Sequence, residues 1–597
     1  MHVLNESGQD FTLHIERAVP EGPPSENPRT GPRSYARYWT VRILDPKEET
    51  IFQREYADAD STALKQQHVV PGRGRGVYQV LINAGMGGTA RIWTEPALPV
   101  AADSRCYPWY LDDDVRDAYF YVPRHTTRVL LDLMPLGGAR NRAVIVYDDE
   151  GRQRARVGGT EPHNMVTLEP ERTDVVWRLA LEGSGPFNFH LDHVPALLTP
   201  DADTARKIRG SVIEVGDTIL HHEFQRELWD IIHEFEPSDF DVAPQTLDPD
   251  SMMKTPRISA ISLGQYGPLS VLPHVVQHQN TDPKSHWFGS IHDWESWSKQ
   301  PAPRNRWDRD YPGPHVIGRG LHANMAWAYA KKFPGNPYQG DQGLLNRTVI
   351  ALAIQLMRMT EEDIFNEFEY ENWKRCWLHY HFDYPEGGTQ AFHYIADDLP
   401  EATRRAIEKG LRRQAELLRY YHSGCTNQWA IMLHGHWQMY ETTGDENYRD
   451  LVTRHLASLV GDDVGENPQS DWYHVGQAPA GYYREYKGFD GAYNSVSAFG
   501  IGALYLETKR PELLESLRRS FRLRNHLTLV DGDGNIVSPT NMNHRTSPMA
   551  CKPFYPDAAL CAQFLPEAAT WLHRYRTSDV HSMAINVWRP DHCEATV

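Results

Sequence analysis

Three stretches of this chain, Ile317–Lys332, Asn427–Tyr440 and Ala492–Leu506, are apolar nearly all the way round a helical wheel. A helix without a polar face has to be covered on both sides. Each is followed by a short polar turn (Gly335-Asn-Pro-Tyr-Gln-Gly, Thr442-Thr-Gly-Asp-Glu-Asn-Tyr, Glu507-Thr-Lys-Arg-Pro) and a second, amphipathic helix: Leu344–Met359, one through Val460, and one through Arg522. Helix pairs of this kind extend as a solenoid or close as a toroid. Closure covers the inner helices completely and gathers the loops that precede them around one cleft. An (α/α) toroid is therefore expected over residues 204–597.

The first 200 or so residues change the period to two. Phe11–Ile15, Tyr38–Ile43, Val77–Ile82 and Ala90–Trp93 alternate between Gly/Pro/Asp-rich turns, and a second group follows Pro99: Ala118–Val122, Arg128–Leu133, Ala143–Tyr147, Val175–Leu181 and Phe187–Leu191. This is the pattern of β-sandwiches. The expected fold class is multidomain α+β, an N-terminal β-sandwich region followed by a C-terminal (α/α) toroid, with sandwich domains at 1–99 and 100–203.

With 597 residues, several cores are expected. A net charge of −18 and the lack of a basic block argue against nucleic acid and anionic membranes as partners. No run approaches the roughly 18 apolar residues of a membrane span, and the N-terminus has no leader-like pattern, so a cytoplasmic protein is expected. Six scattered cysteines without a Cys-x-x-Cys pair predict free thiols. Seventeen Trp and 29 Tyr point towards a sugar ligand, since flat apolar rings that also hydrogen-bond suit it.

The loops ahead of the inner helices hold the chemistry. Gly481–Gly502 crowds three tyrosines, an arginine, a lysine, a glutamate and an aspartate between glycines before entering an apolar helix. It offers His474, Tyr482, Tyr483, Arg484, Glu485, Asp490, Tyr493 and Asn494. Other loops bring His315, Arg319 and His322; His379, His381, Asp383, Tyr384, Glu386 and Gln390; His422, Asn427 and Gln428; and Asn541, Asn543, His544 and Arg545. Simpler readings compete at several positions. Asn427 suits a helix N-cap, and His434 and His436 suit a satisfied core. His379 and His381 alternate as metal ligands on a strand would, and Asp531-Gly-Asp-Gly-Asn fits a hairpin turn better than a calcium loop. Trp287, Trp294 and Trp297 suit either sugar stacking or core packing.

A β-rich region joined to an (α/α) toroid, with Thr426-Asn427-Gln428-Trp429 at an inner-helix start and a later loop carrying Tyr483, Glu485, Asp490, Gly491 and Tyr493, resembles the toroid polysaccharide lyases, the chondroitin, alginate and heparin types. The resemblance spans residues 205–580 and departs in order, since those lyases usually carry the β domain after the toroid. A rhamnose–glucuronate type is one subfamily it leaves open. It implies β-elimination on an acidic oligosaccharide or polysaccharide, in which a base removes the proton α to a uronate carboxylate and an acid assists the 4-linked leaving group. The carboxylate must be neutralised for that proton to be acidic, a role for Asn427 and Arg545. Tyr483, Tyr493, His381 and His544 are the proton carriers, with Arg484 and Lys487 flanking Tyr483 to lower its pKa. Arg319, His322, Tyr384, Gln390, Gln428, Arg484, Glu485, Asp490 and Asn543 are expected to bind substrate. No cofactor is required, a divalent cation such as calcium or zinc being the alternative neutraliser. The rival reaction is glycoside hydrolysis by a carboxylate pair from Glu485, Asp490, Asp383 and Glu386. Sugar epimerisation and simple glycan binding by the sandwich are further alternatives.

Overall fold

The computed structural model describes residues 1–18, 39–47, 49–56, 63–83, 89–103, 117–124, 126–135, 143–158, 164–183, 187–209, 213–215, 218–220, 223–242, 272–273, 275–277, 279–283, 288–289, 291, 321–332, 336–358, 383–418, 426–460, 476–485, 488–530, 536–537 and 556–576. These residues fall into two compact units that part between Glu223 and Phe224.

The first unit is built of β-sheets. Strands in the order Leu197–Leu198, Val100–Asp103, His2–Asn5, Gly76–Asn83, Trp39–Leu44 and Thr50–Tyr56 form one sheet, and Ala63–Val70, Phe11–Ala18 and Thr89–Glu95 form a three-stranded sheet. Both contribute to one core, with Val3, Val41, Ile43, Tyr78 and Val80 from the first and Phe11, Leu13, Ile15 and Val70 from the second. Period-two alternation selects those faces: Phe11, Leu13 and Ile15 point inward, Thr12, His14 and Glu16 the other way. A second pair of sheets (Asn164–Leu168, Val129–Pro135, Phe187–Asp192; and Gln153–Gly158, Ala143–Tyr147, Val175–Glu182, Asp117–Val122) encloses Phe120, Leu131, Val144, Trp177 and Phe189.

Strand pairing crosses the expected boundary at 99/100. Val100–Asp103 hydrogen-bonds to His2–Asn5 in the first sheet, and Leu197–Leu198 returns to pair with Val100–Asp103. Helix α1 (Ala202–Lys207), capped by Asp201 Oδ1 accepting from the Thr204 N–H at 2.8 Å, packs Ala205 against Tyr121 and Val176. The β unit therefore runs past residue 203.

The second unit is helical: α2 (Glu223–His233), α3 (Leu321–Ala330), α4 (Gln342–Arg358), a π-helical turn (Asp383–Thr389) leading into α5 (Gln390–Ile395), α6 (Glu401–Leu418), α7 (Thr426–Thr443), α8 (Glu446–Val460), α9 (Gly491–Thr508), α10 (Pro511–Leu527), α11 (Pro556–Ala562) and α12 (Pro566–Arg576). Helices α3, α5, α7, α9 and α11 lie side by side in chain order, and α4, α6, α8, α10 and α12 form a second layer behind them. The three apolar stretches thus fall in one row. Helix α7 is buried at every position from Thr426 to His436, the burial that its missing polar face demands. A single core joins Ala430 and Leu433 of α7, Val452 and Leu456 of α8, Ile501 of α9, Leu517 of α10, Cys561 of α11 and Trp571 of α12. Helices α7 and α9 meet closely at Gly500, where a Cβ would lie 3.0 Å from Ala430 Cβ and 3.1 Å from the Ile431 nitrogen.

Gly500→Val should therefore wedge α9 away from α7 and destabilise the protein by about 2–3 kcal/mol. Urea unfolding should show a lower midpoint with an unchanged slope. A midpoint equal to that of the parent protein would mean that the two backbones do not pack this tightly.

Candidate active site

Helix α7 begins against a hairpin that precedes α9. In Gly476–Glu485 the chain reverses through Ala478 N–H to Tyr482 O (2.8 Å), Gly481 N–H to Ala478 O (2.8 Å) and Arg484 N–H to Gly476 O (3.0 Å). Gly481 makes the reversal with φ +103°, its α-carbon so close to helix α10 that a Cβ would lie 2.7 Å from Arg519 O. Thr426 fastens this hairpin to α7: its Oγ1 accepts from the Gly476 N–H at 2.8 Å and donates to Arg484 O at 2.8 Å.

From Tyr482 to Glu485 burial alternates as in a strand: Tyr483 and Glu485 are buried, Tyr482 and Arg484 part-exposed. Tyr483 and Arg484 therefore face opposite ways. Its hydroxyl is 2.9 Å from Ser516 Oγ, its N–H donates to Asn494 Oδ1 at 2.8 Å, and its ring joins the apolar core. Burial pushes its phenol far above the ordinary value of 10, the reverse of the lowering expected from Arg484 and Lys487. Glu485 lies inside beside it. Asp490 caps α9, its Oδ1 accepting from the Tyr493 N–H at 3.1 Å. Among the described residues, the phenols of this loop that reach solvent are Tyr482 and Tyr493. Tyr482 packs edge-on against Phe489 and favours the charge on Arg484, against which burial works. The i, i+2 periodicity would have picked Tyr482 over Tyr483 from sequence.

Asn427 and Gln428 occupy the first turn of α7 and are fully buried, yet neither amide has a hydrogen-bond partner at its nitrogen or its oxygen. Asn427 does not cap the helix, since it lies within the first turn and its amide oxygen accepts no hydrogen bond. An unmatched buried polar group costs about 1–3 kcal/mol. Arg484, whose carbonyl is held by Thr426, likewise has a buried Nη1 without a partner. The first turn of α7 thus carries two unpartnered amides at the positive end of an 18-residue helix, and its Thr426 holds the backbone of Arg484. The set can bind an anion.

His322, on α3, is buried 99% and packs on the π-helical turn, where a Cβ on Gly387 would come within 2.5 Å of its Nε2. Burial brings its pKa down to about 4, with the Gln355 side chain opposing weakly, so the ring is neutral at pH 7. Tyr384, expected at the substrate, is instead fully buried with its hydroxyl 3.1 Å from His436 Nδ1. Gln390 is buried at the start of α5. His434 pairs with Glu507 at 2.6 Å, so both histidines of α7 are core groups with partners. Leu529–Val530 pairs with Ile536–Val537, and Asp531–Asn535 lie outside the described residues. Arg319, His381, Asn543, His544 and Arg545 lie outside the described residues, as do His315, His379, His422, His474, Asn541, Trp287, Trp294 and Trp297 and the side chains of Asp383 and Glu386. Among the described residues no group of three His, Cys, Asp or Glu side chains could hold a metal ion, and no helix is long and apolar enough to cross a membrane.

No protein-family model matches this sequence, and no curated protein matches it. Among solved structures, a chondroitin AC lyase of Streptomyces coelicolor A3 in complex with chondroitin sulphate is similar at 14% identity and a TM-score of 0.30, covering 49% of this chain and 36% of that one. A polysaccharide lyase is similar at 12% identity and 0.32, over 93% of this chain and 68% of its own. An unsaturated glucuronyl hydrolase mutant of Streptococcus agalactiae is similar at 13% identity and 0.28, over 60% and 81%. This chain thus spans about a third of the first of these proteins.

The neutral His322 makes stability depend on acid. Its folded pKa lies near 4 and its unfolded value near 6.5, so between these the unfolded chain binds the extra proton and stability is lost as pH falls from 6.5 to 4. A shift of that size corresponds to about 3 kcal/mol. The unfolding free energy should fall less between pH 6.5 and pH 4 in His322→Gln than in the parent. Equal pH slopes in the two proteins would mean that the ring is already charged or exposed.

Proposed function

We propose that the helical unit closes as an (α/α) toroid and cleaves a uronate-containing glycan by β-elimination at the first turn of α7. The unpartnered buried amide of Asn427, on the helix start whose Thr426 holds the Arg484 backbone, carries this reading. A uronate carboxylate placed there would receive the guanidinium Nη1, the amide nitrogen and the helix terminus together. Withdrawing its charge in this way makes the neighbouring α-proton acidic enough to remove. Tyr482 and Tyr493 are then the phenols available to take that proton and to return one to the departing 4-oxygen. Tyr483 becomes a positioning residue that holds the hairpin through Ser516 and Asn494. His381, His544 and Arg545 remain proposed partners of the same site, and no cofactor is needed.

The similar structures include lyases and a hydrolase, so the choice of reaction rests on the site. Hydrolysis needs two carboxyl groups facing the scissile bond. Asp490 is engaged in capping α9 and Glu485 points inward, which favours elimination.

Incubation with a panel of uronate polysaccharides should release new reducing ends in proportion to the ultraviolet absorbance of an unsaturated uronate. Reducing ends without absorbance would transfer the reaction to hydrolysis. Arg484→Ala should lower kcat/KM by about 10²–10³-fold. Tyr483→Phe should keep most of the turnover but unfold more easily by about 1 kcal/mol, whereas loss of turnover on a par with Tyr482→Phe or Tyr493→Phe would restore Tyr483 as a proton carrier.

A further inference from the structure

The outer face of the three-stranded sheet in the first unit is a small, flat array in strict register. Trp93 stands opposite His14, which stands opposite Gln67. One step along, Glu95, Thr12 and Val69 face one another, and on the other side Arg91, Glu16 and Lys65 do so. Two of the three large hydrophobic side chains exposed among the described residues, Trp93 at 40% and Val69 at 67%, are on this face. They stand on its opposite edge strands, roughly 10 Å apart at the usual strand spacing.

Trp93 is held upright. The His14 ring stacks on one side of it with centroids 5.1 Å apart and planes within 5°. His14 is fixed in turn, Gln67 Nε2 donating to Nδ1 at 3.1 Å and Nε2 meeting Glu95 at 3.2 Å. A rigid, part-exposed indole at a sheet edge suits the apolar face of a pyranose ring.

Charge identifies the ligand. Of the two carboxylates of the array, Glu16 is paired with Lys65 at 3.1 Å, and Glu95 is hydrogen-bonded to the His14 ring at 3.2 Å. Arg91, exposed and 6.0 Å from the Trp93 ring centroid, has no carboxylate partner among the described residues. Arg91 is thus a cation beside the indole that no carboxylate of the described residues neutralises. We propose that this face is a second glycan-binding surface, on which a uronate ring stacks on Trp93 and sets its carboxylate against Arg91.

The test is native electrophoresis of the whole chain through gels containing alginate, a polyuronate, or dextran, a neutral glucan. Arg484→Ala serves as the background, so that retention on this face is read apart from turnover at α7. Retardation by alginate and not by dextran is expected to survive in Arg484→Ala and to weaken about tenfold in apparent Kd on adding Trp93→Ala or Arg91→Ala. Arg91 is a solvent-exposed side chain, so its variant keeps the test valid if Trp93→Ala folds poorly. Unchanged retardation in both variants would overturn the proposal, as would equal retardation by dextran. A change of sedimenting mass from dimer to monomer in Trp93→Ala would overturn it in favour of a contact between copies of the chain.

Discussion

Helix α7 has no side facing water, and the second unit is arranged around that fact. It lies between α5 and α9 with α8 behind it, and its approach to α9 is limited only by the missing side chain of Gly500. A helix so enclosed has to satisfy its polar groups within the protein. Along most of α7 it does: His434 meets Glu507, His436 meets Tyr384, and Gln438 accepts from Thr389 at 2.9 Å. Only in the first turn, at Asn427 and Gln428, are fully buried amides of this helix left without partners. Since the same helix achieves pairing three turns further on, the mismatch in the first turn marks a place built for something other than folding.

Burial also determines how well such a place can be held. Thr426, fully buried, uses one hydroxyl to bind two strands of the adjoining hairpin, so the residue that starts α7 also sets the backbone of Arg484. Asp490 caps α9 and Asn494 reaches back to Tyr483, which ties the other end of the hairpin to the neighbouring inner helix. Groups that must act together within a fraction of an ångström are best carried on elements anchored in this way. The polar side chains that line no surface, Tyr483, Ser516 and Asn494, contribute by fixing those that do.

Much of this was legible in the sequence, and the parts that were not have physical causes. Helices apolar on every side announced a double layer, because nothing else covers them, and alternation in Phe11–Ile15 announced sheet. The domain limits were not legible, because a strand such as Leu197–Leu198 is assigned by the edge it pairs with, and pairing is non-local. The loop before α9 stands out by its density of ionisable groups, but that density did not say that Tyr483 is buried and Tyr482 part-exposed. Density says that a loop is special, whereas only its extended backbone says which residues point outward. Tyr384 misled for a similar reason: a tyrosine in a polar loop was read as accessible, when a π-helical turn directs it into the core towards His436.

The overall charge sharpens the functional reading. With 79 acidic against 61 basic residues, the chain repels polyanions at long range. Beyond about 8 Å at physiological salt this repulsion is largely screened, so what decides binding of an acidic glycan is the charge found at contact. Most arginines in the described ion pairs are neutralised by a neighbouring carboxylate, as Arg152 is by Asp148 and Arg412 by Asp445. Arg484 and Arg91 are not so matched. At Arg484 the guanidinium is also partly withdrawn from water, which strengthens its attraction for an anion that displaces the remaining solvent. In an acidic protein, cations that no carboxylate of the described residues neutralises, such as Arg484 and Arg91, are the groups left to meet an anion at contact.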